Sequence, residues 1–248
     1  MLRLLLCIAT LGSTVQLMGQ STNQTFDAAN LTELKLEAKL SEVVLVAVEG
    51  NEIEIAHTFI VNGEPIQDIS ELSYTEANGR AVITEVSPTM EQIEERWQNS
   101  GRVLEVNGQQ FQNEVITSVL EVRFPSSLDI EIETEYGAIK GENLSTLTRA
   151  NSKYGVVELV FDERIPHEDL VVFSKYGEVD ITLPENLAAD LVLTTEYGNL
   201  LSDFDLDIDT DRSEEEDHLQ HVEASMNGGG SLINCTATYS NIYVRKAK

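Results

Sequence analysis

The chain has 248 residues, with 16 Lys plus Arg set against 43 Asp plus Glu, a formal net charge of -27. A surface this acidic repels phosphate backbones and anionic membranes, which are bound through clustered Lys and Arg, so nucleic acid is excluded as a partner. Hydrophobic residues make up 42% and charged residues 24%, the composition of a folded globular protein and not of a disordered one.

Residues 1–21 read as an export signal. Arg3 supplies the positive start, Leu4 to Leu11 begins an apolar run, and Gly19-Gln20-Ser21 is a small-x-small cleavage site. Removing the segment takes away one positive charge, Arg3, and leaves -28. It also removes Cys7, so Cys235 is the single remaining cysteine and no intramolecular disulfide is expected. No later stretch reaches the roughly 18 to 20 apolar residues of a spanning helix, so no membrane span is expected.

Residues 27–125 form a first region. Leu34 to Leu40 and Asn51 to Ala56 alternate apolar and polar residues and are joined through the turn signal Glu49-Gly50-Asn51. Ser87-Pro88-Thr89 opens one short amphipathic helix with Met90, Ile93 and Trp97 on one face, closing near Asn99-Ser100-Gly101. That face is expected to cover a strand edge or the end of the core. Residues 102–134 return to strands.

Residues 126–248 carry a repeat. Tyr-Gly occurs at Tyr136-Gly137, Tyr154-Gly155, Tyr176-Gly177 and Tyr197-Gly198, spaced by 18, 22 and 21 residues, and Tyr239-Ser240 follows 42 residues later. Two residues before each Tyr stand Thr134, Ser152, Ser174, Thr195 and Ala237, all small; four before stand Ile132, Ala150, Val172, Leu193 and Cys235. Six before stand Ile130, Thr148, Leu170, Leu191 and Ile233, and three after stand Ile139, Val157, Val179, Leu200 and Ile242. Alternation of this kind means a strand with one buried face, and its change of parity at the Gly means a bend. Even offsets and the Tyr are expected inward, each period being strand, corner, strand. A unit of about 20 residues buries its apolar face only by stacking on others like it, so the expected fold is all-β: a single-stranded β-solenoid (β-helix) of parallel stacked turns, with the first region supplying its first turns and the tyrosines forming a ladder. Such stacking places Glu135 beside Lys153 and Lys175 beside Glu196. Residues 203–217 hold nine acids and one Arg and are read as an acidic loop inserted into one turn.

The segment Ser-Leu-Asp-Ile-Glu-Ile-Glu-Thr-Glu-Tyr-Gly at 127–137, the recurring Ser-Lys-Tyr-Gly, and the closing stretch from Asn227-Gly228-Gly229-Gly230 to Lys246 resemble the bacterial putative-adhesin (auto-transporter adhesin head-like) family of β-solenoid domains. The resemblance covers most of residues 30–246. It implies that fold and a periplasmic or cell-surface setting in a Gram-negative bacterium, and carries no catalytic residue. Ser240 departs from the family's Gly, and the acidic loop departs from its length.

Among candidate sites, Asp203, Asp205, Asp207, Asp209 and Asp211 alternate along the chain and form a candidate calcium comb, since calcium takes six to eight oxygen ligands. Ile208 at the sixth position of that stretch excludes an EF-hand, which needs Gly there. The plainer alternative is a solvated loop or a charged edge that opposes pairing with other chains. His218 and His221, beside Asp217 and Glu223, could hold a transition metal. His57 and His167 have no evident partner. Cys235 falls at an inward position and reads as a buried apolar residue. Gly228-Gly229-Gly230-Ser231 lacks the Lys of a phosphate loop and reads as a tight corner. No cofactor and no catalytic constellation is expected. The sequence therefore points to an exported, non-enzymatic, adhesin-like binding or structural protein of the cell envelope, its partner an envelope protein or polysaccharide. The alternative is a carbohydrate-active enzyme, a polysaccharide lyase or hydrolase on a β-helix; the charge of -28 argues against acidic sugars as its substrate.

Overall fold

The computed structural model describes residues 22–61, 64–65, 71–86, 88–89, 91–92, 95, 105–106, 109–110, 116–161 and 169–247. The export signal at 1–21, the helix face of Met90, Ile93 and Trp97, and His167 lie outside the described residues.

Each Tyr-Gly dipeptide joins two short strands. Asp129–Thr134 leads through Tyr136 to Ile139–Glu142, and Leu147–Ser152 through Tyr154 to Val157–Val160. Leu170–Ser174 leads through Tyr176 to Val179–Leu183, Ala189–Thr195 through Tyr197 to Leu200–Ser202, and Ser231–Ala237 through Tyr239 to Ile242–Lys246. A sixth unit, Glu33–Ala38 and Glu42–Val48, is in register with the first, so that Leu40 and Ser41 stand where the others carry Tyr and Gly. The leading strands pair in parallel within an eleven-stranded sheet and the following strands within a ten-stranded sheet. One continuous apolar core, including Ile132, Val172, Val179 and Val244, joins residues of both sheets.

The fold is all-β, but it is not the single-stranded parallel solenoid expected from the repeat. Both sheets are mixed. Gln220–Met226 runs antiparallel on Ala189–Thr195, Glu52–Val61 antiparallel on Ile116–Pro125, and Thr22–Asp27 antiparallel on Glu52–Val61. Glu71–Ala77 folds back on Arg80–Val86 through Asn78-Gly79, both at positive φ, the residue pair that a tight hairpin requires. These hairpins occupy the ends of the parallel stack, where a bare strand would otherwise offer unpaired backbone groups. Asn51 to Ala56, expected to continue the stack as a second turn, belongs to the antiparallel strand Glu52–Val61 instead.

The units also stack out of chain order. Across both sheets the sequence of corners is Leu40, Tyr136, Tyr154, Tyr176, Tyr239, Tyr197. The last unit of the chain is intercalated between its two predecessors, with Ile233 paired to Leu170 on one side and to Leu191 on the other. To reach that slot the chain leaves Met226, arches over the start of Ala189–Thr195 and enters Ser231–Ala237. Asn227 donates from Nδ2 to the carbonyls of Glu185 and Leu187 at 3.0 and 2.7 Å, and a β-carbon on Gly230 would overlap the Ala188 carbonyl. The glycine run is thus a close crossing over a neighbouring strand, in keeping with the tight corner expected there.

The parity rule holds with two corrections. Residues two and four before each Tyr are buried, but the tyrosines themselves are 43–58% exposed, because the corner turns them out of the core. In the Tyr154 unit a bulge aligns Leu147, not Thr148, with Ile130, and Leu147 is the residue buried. Glu91 and Gln92 are helical, and the capping residue before them is Thr89. Thr89 Oγ1 accepts from the Gln92 amide at 3.2 Å, and Gln92 Oε1 accepts from the Thr89 amide at 2.8 Å, a capping box. Among the described residues no helix is long and apolar enough to cross a membrane.

Candidate functional site

The corners are held by close packing and not by left-handed backbone. None of Gly137, Gly155, Gly177 and Gly198 has positive φ; instead a β-carbon on each would overlap the carbonyl of the unit beneath, at Ser41, Gly137, Gly155 and Ser240 respectively. The small residue two positions before Tyr completes this contact. Ser152 Oγ accepts from the Gly155 amide at 2.8 Å, and Ser174 Oγ accepts from the Gly177 amide at 2.9 Å while donating to the Gly155 carbonyl at 2.9 Å. Thr134 and Thr195 donate likewise to the carbonyls of Gly137 and Ser240. The repeat shows these positions as merely small; their hydroxyls satisfy backbone groups that are buried between units.

With neighbouring corners locked, the tyrosines fall into one row. Ring centroids are 5.1 Å apart from Tyr136 to Tyr154, 5.0 Å from Tyr154 to Tyr176, 5.1 Å from Tyr176 to Tyr239 and 5.2 Å from Tyr239 to Tyr197, with planes within 11° of parallel. His218 closes the row, 5.3 Å from Tyr197. Lys153 and Lys175 lie over the rings of Tyr154 and Tyr176 at 5.1 and 5.4 Å. Lys153 also reaches Glu135 at 3.0 Å, as the register predicts, and that hydrogen bond raises its pKa. Lys175 does not meet Glu196: the Tyr239 unit lies between them, and Tyr239 donates its amide to the Lys175 carbonyl. Next to Tyr197 a cavity of about 560 Å³ is lined by Glu196, Asn199, Glu215, Asp217 and His218.

The structure does not gather the aspartate comb. Asp203 accepts from the Lys246 amide, Asp209 caps the Asp211 amide and pairs with Arg212, and only Asp207 and Ile208 of the stretch form strand. Among the described residues, no three His, Cys, Asp or Glu side chains converge on a point that could hold a metal ion. His218 is taken up by the row, and His221 Nδ1 is 2.8 Å from Thr194 Oγ1. Cys235 is fully buried, which pushes its thiol up to about 12.

One polar cluster has no trace in the repeat. Where the stack reaches the Leu40 unit, Glu85 Oε2 accepts from the amides of Lys39, Leu40 and Ser41 at 2.7, 3.1 and 3.2 Å, and Glu85 Oε1 accepts from Ser41 Oγ at 2.9 Å. Ser41 Oγ is 2.6 Å from Ser118 Oγ, which is 2.9 Å from His57 Nε2. All four residues are buried. Burial, the largest influence on His57, lowers its pKa, while the Glu85 charge opposes the shift. The carboxylate engages the serine and the backbone, not the imidazole, so the arrangement differs from a nucleophile, base and orienting acid in series. It serves as a buried brace for the corner that lacks Tyr and Gly. His57 does have partners, therefore, Ser41 and Ser118 among them, and no local spacing announces these two.

No family model and no curated protein matches this chain. Among solved structures it is similar to a crystal structure of a putative cell adhesion protein from Clostridium sporogenes ATCC 15579, with a TM-score of 0.57 and 12% identity, over 92% of this chain and 100% of that one. At this identity the likeness is one of fold.

Proposed function

We propose that the chain is an exported, non-enzymatic, adhesin-like binding protein of the bacterial cell envelope, and that it meets its ligand along the tyrosine row. The observation that carries this reading is the row itself. Five tyrosines from five units stand 43–58% exposed in one line, on a chain whose surface is otherwise dominated by carboxylates. Tyrosine presents a large, rigid contact area with a polar tip, the combination enriched at recognition surfaces. The fold shared with a putative cell adhesion protein supports the same reading. The finer expectation of a solenoid lineage fits the parallel central units and belongs to the same proposal.

The test is retention of the fluorescently labelled full chain on intact Gram-negative cells and on isolated envelopes, beside a variant with Tyr154→Ser, Tyr176→Ser and Tyr239→Ser. Retention of the wild type, and its loss in the folded variant, is the expected result. Equal retention of both chains would overturn the assignment to the row, and turnover of an envelope polysaccharide would instead favour a carbohydrate-active enzyme.

A further inference from the structure

Parallel rings at van der Waals contact have planes about 3.5–4.0 Å apart. The centroids in the row are 5.0–5.2 Å apart, so successive rings are slid past one another as well as stacked. Each tyrosine of the row nonetheless keeps 43–58% of its surface exposed to solvent. The five rings repeat with nearly constant spacing along a line of about 20 Å, set by the strand spacing of the units that carry them. Among the described residues, none of the five phenolic hydroxyls is hydrogen-bonded to another group of the chain.

A ligand matching this surface has to be extended, to advance by about one strand spacing per residue, to offer a weakly polar face to each ring, and to carry hydroxyls beside it. It also has to carry little negative charge, because a chain of net charge -27 repels polyanions. Nucleic acids, polyphosphates and uronic-acid polymers fail on charge. A coiled α-linked glucan fails on period, since its residues do not follow a straight line. An equatorially linked β-1,4-glycan meets every condition: its chain is a flat ribbon, its advance per sugar is close to the strand spacing, and its axial C–H groups form apolar patches that pack on aromatic faces while the ring-edge hydroxyls reach phenol oxygens.

We propose that the tyrosine row is a binding site for an extended, uncharged β-1,4-linked glycan lying along the row, one sugar for each tyrosine. The proposal rests on the reading of the row as the ligand-contacting surface and adds the chemical class of the ligand. Lys153 and Lys175, lying over two of the rings, are placed to donate to sugar hydroxyls at the middle of the row.

The experiment is calorimetric and NMR titration of the full chain with cellohexaose and N-acetylchitohexaose, with the corresponding disaccharides, and with maltohexaose as the α-linked control. At least one β-linked hexasaccharide is expected to bind about tenfold or more tighter than its disaccharide and than maltohexaose, as contacts along the row accumulate. The triple variant with Tyr154→Ser, Tyr176→Ser and Tyr239→Ser should weaken it by about tenfold or more. Tyr243→Ser, off the row, should leave it unchanged. If circular dichroism shows the triple variant unfolded, single Tyr176→Ser gives the reading, with a loss of roughly threefold expected. No binding of either hexasaccharide at millimolar concentration, by a chain that is still retained on envelopes through the row, overturns the glycan and leaves the adhesin reading standing. Binding that survives the triple substitution, or equal binding of maltohexaose, overturns the proposal as well. An unsubstituted chain that neither binds a hexasaccharide nor is retained on envelopes overturns both.

Discussion

The α-carbon of Gly155 lies against the carbonyl of Gly137, so closely that a β-carbon would overlap that oxygen. The contact repeats from Gly177 to Gly155 and from Gly137 to Ser41, and it fixes the approach of neighbouring corners from which the tyrosines project. Gly155→Ala must push two hydrogen-bonded units apart, a clash with backbone that side-chain rotation cannot relieve. The substitution is expected to cost about 3 kcal/mol, at the upper end of overpacking changes. Gly228, at φ +94° with nothing within 4 Å of its absent β-carbon, should cost only about 1 kcal/mol on change to Ala. Urea midpoints of the two variants check the ordering.

Glu85 is the acceptor for three successive backbone amides and one hydroxyl. Glu85→Ala leaves buried donors without partners, at about 1–3 kcal/mol for each unsatisfied group, so a loss of about 3 kcal/mol or more is expected. Equilibrium unfolding measures it, and a change below about 1 kcal/mol would place the brace outside the determinants of stability.

Buried His57 supplies a pH dependence. Its folded pKa lies below the ordinary 6.5, chiefly because burial disfavours the imidazolium. The unfolded chain therefore takes up the proton first as pH falls. Stability from this group is fully present above about 6.5 and is lost as pH drops from there toward the folded pKa. Urea midpoints of the wild type should fall from about pH 7.5 to 5.5 more steeply than those of His57→Gln, and parallel profiles would contradict the assignment.

Within the row, Tyr176 stacks on two rings and Tyr136 on one. With aromatic pairs contributing about 0.5–1.5 kcal/mol each, Tyr176→Ser should destabilise roughly twice as much as Tyr136→Ser. Thermal unfolding of the two variants gives the ratio.

The local rules of this fold are legible in the chain. Alternation marks the strands, Tyr-Gly marks the corners, and the Glu135 and Lys153 pair follows from the spacing of 18 residues. The order of the last units is not legible, because Leu191 and Leu193 are as suitable neighbours for Leu170 and Val172 as Ile233 and Cys235 are, and the charges of Lys175 and Glu196 even favour consecutive stacking. What decides it is the path through Gln220–Met226 and the glycine crossing, a topological fact without a residue pattern. Similarly, the Leu40 corner has neither Tyr nor Gly, so the stack cannot be read through it. The partners Glu85, His57 and Ser118 lie 44, 16 and 77 residues from Ser41. The tyrosine row itself was legible as a ladder, though not its exposure, since exposure depends on the turn of the corner and not on strand parity.

That the row is continuous depends on Tyr239 standing between Tyr176 and Tyr197, and paired cysteines test this directly. Lys175 and Thr238 are on adjacent strands, with Thr238 donating to the Ser174 carbonyl at 3.1 Å, whereas Lys175 and Glu196 are two strand spacings apart, about 9.6 Å. A disulfide needs α-carbons roughly 4.4–6.8 Å apart. Oxidation of the chain carrying Cys7→Ser, read by mass spectrometry of proteolytic fragments, should cross-link the Lys175→Cys, Thr238→Cys variant and leave Lys175→Cys, Glu196→Cys open, Cys235 staying inert in the core. Efficient cross-linking of the second pair and not the first would contradict the intercalated order and, with it, the continuous row.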